Sequence, residues 1–255
     1  MHVRSALTNS CADGLRNKRK ALAMAKFILS IFLAIFLQTL YVNAEEYVDK
    51  CIEGKWHKES PSPETAEFKT CHAFKESSCC NAAFTVELMA NETRNLYNHS
   101  WHRCGTLSAK CQSFWVKQEC FYQCSPKVYR YEDPNFKGGL KGVPVCSGFC
   151  DEWYEACKED QICVENVLAD YNVTKHDENY CPVNSSCKSY QAMYGNGKNL
   201  CEKMWGESYK YTLPDADYSN CLMMDPSKKV KGIGITSVPN ISLLALILFI
   251  MALMQ

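Results

Sequence analysis

Apolar residues fall along this chain in two patterns. Near each end they form a run: Phe27 to Leu37, preceded by Lys26 and by Arg16, Lys18, Arg19 and Lys20, and Ile241 to Met254, interrupted by Ser242. Between the runs they recur at helical spacing. Leu107, Cys111, Phe114, Trp115 and Val116 crowd one side of a helix that runs towards Tyr122 and ends before Ser125-Pro126. Pro144 is expected to open a second helix, along which Cys146, Cys150, Trp153 and Cys157 recur at intervals of four, three and four. A third begins after Gly195-Asn196-Gly197 and carries Leu200, Cys201, Met204 and Trp205. Alternation of period two is weak and short, so the strands should be small. The segments around Pro61-Ser62-Pro63 and from Pro134 to Gly142 read as loops.

The terminal runs are read as processing signals. The first closes on Val42-Asn43-Ala44, small residues of the kind a signal peptidase reads, which places cleavage after Ala44. A start at Met24 gives a signal proper of residues 24–44 and leaves 1–23 as an N-terminal extension. The second run is shorter than the roughly 20 residues a spanning helix needs, and no Lys or Arg follows it. Upstream lie Gly232 and Gly234, then a polar spacer through Asn240, the layout of a GPI-attachment signal. Gly232 is the expected attachment site, with Ser237 second. The expected organisation is 1–44 extension and signal, 45–225 a single ligand-binding domain, 226–240 spacer, and 241–255 a removed tail. Its destination is the extracellular face of the plasma membrane, held by a lipid anchor.

Cysteine usage fits that compartment. Of 17 cysteines, 16 lie between Cys51 and Cys221, an even number sufficient for eight disulfides, which an oxidising environment would keep closed. Cys11 stands apart in the segment assigned to removal. The net charge of zero conceals an acidic mature chain, since residues 45–232 hold 22 basic and 27 acidic residues. That balance, without any lysine or arginine block, leaves no footprint for nucleic acid. Four sequons, at Asn91, Asn98, Asn172 and Asn184, mark exposed loops that would carry glycans.

Motifs for catalysis are missing: no Gly-x-Ser-x-Gly, no His-Glu-x-x-His and no phosphate-binding glycine loop. The chain is therefore not expected to be an enzyme. Clusters such as Cys120/Cys124, Cys146/Cys150 and His72 beside Cys71 are expected to form disulfides rather than a metal site. What stands out is aromatic surface beside cysteines: Tyr122 between Cys120 and Cys124, Trp153 between Cys150 and Cys157, Trp205 four residues after Cys201. Such rings either pack a core or line a rigid, preorganised cleft for a flat heteroaromatic ligand.

Particular stretches carry a resemblance. Ser60-Pro61-Ser62-Pro63-Glu64, Glu76-Ser77-Ser78-Cys79-Cys80, Cys120-Phe121-Tyr122-Gln123-Cys124-Ser125-Pro126, Phe149 to Lys158, and Met204-Trp205-Gly206-Glu207-Ser208 resemble the folate receptor family, and within it the egg riboflavin-binding branch. The resemblance spans about Cys51 to Cys221. It implies an α+β fold of several helices and short β-strands with eight disulfides: Cys51–Cys79, Cys71–Cys120, Cys80–Cys124, Cys104–Cys187, Cys111–Cys157, Cys146–Cys221, Cys150–Cys201 and Cys163–Cys181. It also implies that Tyr122 and Trp205 sandwich a flavin ring. Tryptophans of the flavin site match Tyr131, Val167 and Tyr171 here. For folate the match is poorer. The pterin-binding aspartate falls at Glu92, inside a sequon, and the folate-site arginine is replaced at Gln112-Ser113. The folate-site tryptophans match Val167, Tyr171 and Val173, while Tyr97 and Trp101 are retained.

The implied function is a surface receptor capturing the vitamin riboflavin, bound as ligand and not as a catalytic cofactor. The alternatives are a folate or pteridine receptor, or an adhesion receptor for a protein partner that has lost its vitamin. An open cleft between Tyr122 and Trp205 would favour a vitamin, and a collapsed or glycan-blocked one adhesion. A receptor that releases cargo in acidic compartments would need a titrating histidine. Of His57, His72, His99, His102 and His176, His102 is the expected one, because it neighbours Trp101 and Cys104.

Overall fold

The computed structural model describes residues 50–90 and 95–228, with helical backbone also at Leu22, Met24, Lys26 and 28–30. The chain divides into two units, residues 1–48 and 49–255, of which the second holds the cystines and the cavity. The proposed cleavage and anchor sites, the 241–255 tail, Asn91 and Glu92 lie outside the described residues.

The order of elements in the second unit is β1 (His57–Ser62), β2 (Ser78–Cys80), α1 (Ala82–Ala90), β3 (Asn95–Leu96), β4 (His99–Ser100), α2 (Ala109–Cys124), β5 (Val143–Cys146), α3 (Ser147–Cys157), β6 (Gln161–Ile162), β7 (Asn172–Val173), β8 (Asn179–Tyr180), β9 (Lys188–Ser189), α4 (Tyr190–Tyr194), α5 (Gly197–Met204) and β10 (Tyr209–Thr212). Short 3-10 turns occupy His72–Phe74 and Pro126–Tyr131. The strands pair only in twos. β5 and β10 run parallel, Tyr209 beside Val143 and Thr212 beside Cys146, and the other pairs are antiparallel. This is the α+β class expected.

Helices α2 and α5 start on local signals. Ser108 caps α2, its Oγ accepting from the Cys111 N–H at 3.3 Å, and is itself held by Asp160. The helix stops at Ser125 because the residue before a proline is driven out of the α region. Asn196 caps α5 through the Asn199 N–H at 2.8 Å. Phe114 packs on Phe149 and Trp153 of α3, and Phe84, Phe121, Leu200 and Met204 are likewise fully buried. Each such side chain contributes about 1.5–3 kcal/mol.

Two prolines depart from expectation. Pro144 lies in β5, and α3 begins at Ser147; proline's fixed φ suits a strand as well as a first helical turn, and here the Pro144 carbonyl accepts from the Leu222 N–H at 2.7 Å. Pro61-Ser62 belongs to β1, whose pairing with β2 is irregular between His57 and Ser62, so the missing N–H costs no ladder bond. The Pro134–Gly142 segment is a loop, drawn closed where the Asp133 N–H reaches the Gly139 carbonyl at 2.8 Å.

Eight disulfides join the elements: Cys51–Cys79, Cys71–Cys120, Cys80–Cys124, Cys104–Cys187, Cys111–Cys157, Cys146–Cys221, Cys150–Cys201 and Cys163–Cys181. These are the pairs the resemblance implies. Four of them start on α2, at Cys111, Cys120 and Cys124, or bind its neighbour α3 to α5 through Cys150. The helix that carries Tyr122 is thereby fixed at both ends.

Candidate functional site

Helix α2 presents Trp115, Gln118, Glu119, Tyr122 and Gln123 to an open cavity of about 670 Å³. Positions 115, 118, 119 and 122 follow the three- and four-residue spacing of one helical face. The remaining walls come from Trp56 and His57 at the start of β1, the β3–β4 hairpin, the 133–140 loop, residues 166–171, and Trp205 to Tyr209 after α5.

The residues expected from sequence distribute unevenly. Tyr122, Trp205, Tyr97, Trp101 and Tyr171 all line the cavity, as does Val167. Tyr131 is not among the lining residues. In its 3-10 turn positions three apart eclipse, so Tyr131 follows Val128 onto the core instead. Val173 is exposed on β7, and Gln112 and Ser113 lie off the lining. His102 is half-buried and also off it, whereas His57 and His99 line it. Asn98, Asn172 and Asn184 are exposed, the first two each adjoining a lining tyrosine.

The rings form a continuous wall. Trp101 stacks on Trp115 at 5.0 Å, and Trp115 meets Trp205 edge-on at 5.5 Å. Trp205 in turn meets the Tyr209 ring at 6.5 Å. Tyr122 meets the His57 ring edge-on at 5.6 Å, and no ring contact joins Tyr122 to Trp205 among the described residues. Both rings line the same cavity. Tyr122 is anchored to a neighbouring wall of the cavity: its hydroxyl donates to the Gly138 carbonyl at 2.7 Å. Gly138 adopts φ +76°, and a Cβ there would meet the Glu53 carbonyl oxygen at 2.8 Å, so only glycine brings the loop this close. Tyr97 sits at φ 56° and Asn98 at φ 61°, the paired left-handed residues of a tight two-residue hairpin turn. For a tyrosine that conformation is costly, and the Gln123 amide, donating to its hydroxyl, holds it.

Polar satisfaction sets this region apart. Seven buried side-chain nitrogen or oxygen atoms lack a hydrogen-bond partner among the described residues, and six belong to cavity-lining residues: Trp56 Nε1, His57 Nδ1, Gln118 Oε1, Glu119 Oε2, Gln123 Oε1 and Trp205 Nε1. Buried polar atoms are normally paired, so such a convergence is expected of a site that a ligand completes. Burial raises the Glu119 carboxyl to about 8 and lowers the His57 imidazole, the latter opposed by its bond to the Tyr122 carbonyl and by Glu132. Burial also raises Tyr122, to about 12. Among the described residues, the exposed Lys55 is the only lysine in the lining and lies over the Trp56 ring at 4.6 Å; Glu119, Asp133 and Glu207 are its acidic members.

Sequence reasoning passed over Gln118, Glu119 and Gln123. The available signal was their spacing, since Gln118 and Glu119 lie three and four residues after Trp115, and Glu119 three before Tyr122. Among the described residues two groups of side chains have metal-like spacing, Cys104/Cys181/Cys187 and Cys111/Cys157/Asp160, but their sulfurs are in cystines and offer no thiolate.

Comparison with known proteins agrees with this architecture. Residues 50–223 match the model of the folate receptor family. The chain is 41% identical over 206 residues to the riboflavin-binding protein of Gallus gallus, covering 81% of each chain. It is 40% identical over 206 residues to that of Dromaius novaehollandiae, again covering 81% of each. Folate receptor gamma of Homo sapiens is 29% identical over 183 residues, 70% of this chain and 74% of the relative.

Proposed function

The chain belongs to the folate receptor family, and from that premise we propose that it is an extracellular receptor that captures riboflavin in the cavity bounded by Tyr122 and Trp205. Vitamin binding of a receptor-like kind follows from the family. The observation that carries the choice of ligand is the cavity itself: two aromatic walls not in contact with each other, around a space of about 670 Å³. That volume is of the size that holds small ligands. Charge favours riboflavin over folate. Folate carries carboxylates, and the described lining meets them with acidic Asp133 and Glu207 and offers one exposed lysine to offset these, while the riboflavin ring is uncharged. The open cleft likewise supports a small ligand over a purely adhesive role.

The test is a riboflavin titration of the purified ectodomain. Flavin stacked against electron-rich rings loses its fluorescence, so quenching with a matching calorimetric signal is expected at micromolar ligand. Absence of both would refute the assignment, and competition with folate separates the two vitamins. The role is binding, without a chemical step. The secretory route rests on the signal-type segment, the eight cystines and the exposed sequons. No helix among the described residues is long and apolar enough to cross a membrane. A lipid anchor at Gly232 is the attachment we propose; release of the protein from intact cells by a phosphatidylinositol-specific phospholipase C checks it.

A further inference from the structure

The polar stripe of α2 is the feature that a stacking site alone does not need. Gln118, Glu119 and Gln123 are all buried in the cavity wall. Gln118 donates its amide to the Tyr209 hydroxyl at 3.0 Å, and Gln123 donates its own to the Tyr97 hydroxyl. Each glutamine thereby has its nitrogen engaged and its carbonyl oxygen left without a partner. Between them Glu119 has an unpaired Oε2. An apolar residue at 119 would fill the same wall without leaving a polar atom bare, so the carboxyl is an expense to stability unless it acts on a ligand.

We propose that Glu119 works as an undissociated acid: its hydroxyl donates to a carbonyl or imine nitrogen at the edge of an uncharged ring, while the Gln118 and Gln123 carbonyls accept from a ring N–H or a hydroxyl. The chemical class selected is a neutral cyclic imide or lactam, which presents acceptors and a donor along one edge. This deepens the flavin reading and rests on it. Two arguments support the uncharged form. Burial raises the carboxyl to about 8, with no other cause of comparable standing. The titratable groups that share the cavity also give a carboxylate little support. They are Tyr122 on α2 itself, Tyr97 and His99 on the hairpin, Lys55 and His57 before and at the start of β1, Asp133, Tyr171, Glu207 and Tyr209. Lys55 is exposed, burial lowers His57 and His99, and the other groups are acids. A carboxylate here would face the ring's acceptor oxygens with like charge.

The sign of the pH effect follows. If the ligand binds only the protonated form, affinity is flat below the Glu119 pKa and falls tenfold per pH unit above it. With that pKa about 8, the loss is about tenfold by about pH 9. The experiment is riboflavin titration of the intact ectodomain between about pH 6 and about pH 9, on wild type, Glu119→Gln and Glu119→Leu. Glu119→Gln is a permanently neutral donor. It should bind within about threefold of wild type at the acidic end and lose the alkaline fall. Glu119→Leu should bind about tenfold more weakly than wild type at the acidic end and show no alkaline fall, while the empty protein is no less stable. If Glu119→Gln follows the wild-type profile, or wild type shows no alkaline fall, the inference is overturned and the flavin assignment stands. If wild type binds no riboflavin at any pH, the flavin assignment fails, and the infrared carboxylic-acid band of the empty protein decides the state of Glu119. A band at about pH 6.5 that Glu119→Gln lacks supports the uncharged acid, and its absence from wild type overturns it.

Discussion

The two halves of helix α2 are finished differently. In the N-terminal half Cys111 is bonded to Cys157, and Phe114 packs on Phe149 and Trp153 of α3. Next to them Trp115 donates its indole N–H to the Tyr190 hydroxyl at 3.2 Å. In the C-terminal half, Gln118, Glu119 and Gln123 end in unpaired oxygens. The first half is complete without a ligand; the second has the composition of a half-interface. Nothing in the structure explains Trp153 Nε1, the one unpaired core atom outside the cavity among the described residues. The contrast shows how a small domain can keep an unsatisfied cavity: its stability is supplied by cystines and core elsewhere, so the binding face is free to be polar and incomplete.

The contrast is broken most severely from the core side. Replacing Cys111 and Cys157 together by alanine removes the link between α2 and α3, and losing a native disulfide typically costs about 2–5 kcal/mol. Secretion should collapse, and any protein recovered should melt far below wild type and bind no flavin. A double variant secreted normally with wild-type affinity would show that packing alone holds α2.

From the cavity side the expected loss is in affinity alone. Trp205→Ala removes one face of the proposed sandwich and Tyr122→Ala the other. Such ring pairings contribute about 0.5–1.5 kcal/mol beyond area burial, so each variant should weaken riboflavin binding by at least roughly 2- to 13-fold with secretion intact. Intracellular retention of either would mean that the ring belongs to the core side. Tyr122→Phe is the finer probe, because it keeps the ring and loses only the bond to the Gly138 carbonyl. A smaller loss is expected, felt through the 133–140 loop.

How legible this was depended on which physics was at work. The helices carrying cystines showed through because Cys150, Trp153 and Cys157 must share a face. The strands did not, since pieces such as Asn172–Val173 are too short for alternation to appear, and Pro61 and Pro144 sit where a two-stranded pair tolerates a missing N–H. Cystine connectivity came from family resemblance and not from spacing. For the cavity, resemblance pointed to Tyr122 and Trp205, but also to Tyr131, which its 3-10 turn places elsewhere, and adjacency to Trp101 and Cys104 pointed to His102, which lies off the lining. The polar stripe was passed over because glutamine and glutamate on a helix ordinarily mark its solvent face; only the fold reveals that these are buried.

A smaller effect concerns the empty protein. Because burial raises Glu119 to about 8 from an ordinary value of 4.5, the native state binds more protons than the unfolded chain between those limits. Its stability contribution is therefore full below the unfolded value and is lost as pH rises through about 8. Thermal melts should show this as a rise in Tm on going from about pH 8 to about pH 5, each kcal/mol moving Tm by about 2–4 °C in a domain of this size. Glu119→Gln should remove that part of the slope. An unchanged slope in the variant would place the titration on other groups.

The smallest expected effect is acid release, and it tests whether the cavity's two titrating ends act in opposite directions. His57 donates through Nε2 to the Tyr122 carbonyl at 3.4 Å, which leaves Nδ1 as an unpaired acceptor in the wall. Burial has already lowered its pKa, against the bond to Tyr122 and the pull of Glu132. A ring stacked on Tyr122 would exclude more water from this imidazole and lower the value further. Only that additional shift enters the binding equilibrium, so the affinity lost on acidification is modest, about threefold or less between roughly pH 7.4 and roughly pH 5. The sign is fixed: the bound form holds fewer protons at His57, so acid favours release, whereas at Glu119 the bound form holds more and alkali favours release. His57→Gln should flatten the acidic limb of a riboflavin titration and leave the alkaline limb in place, and Glu119→Gln should do the reverse. His102→Gln, off the lining, should change neither. An acidic limb that survives in His57→Gln and disappears in His99→Gln would move the switch to the hairpin, where burial has lowered the second lining histidine as well.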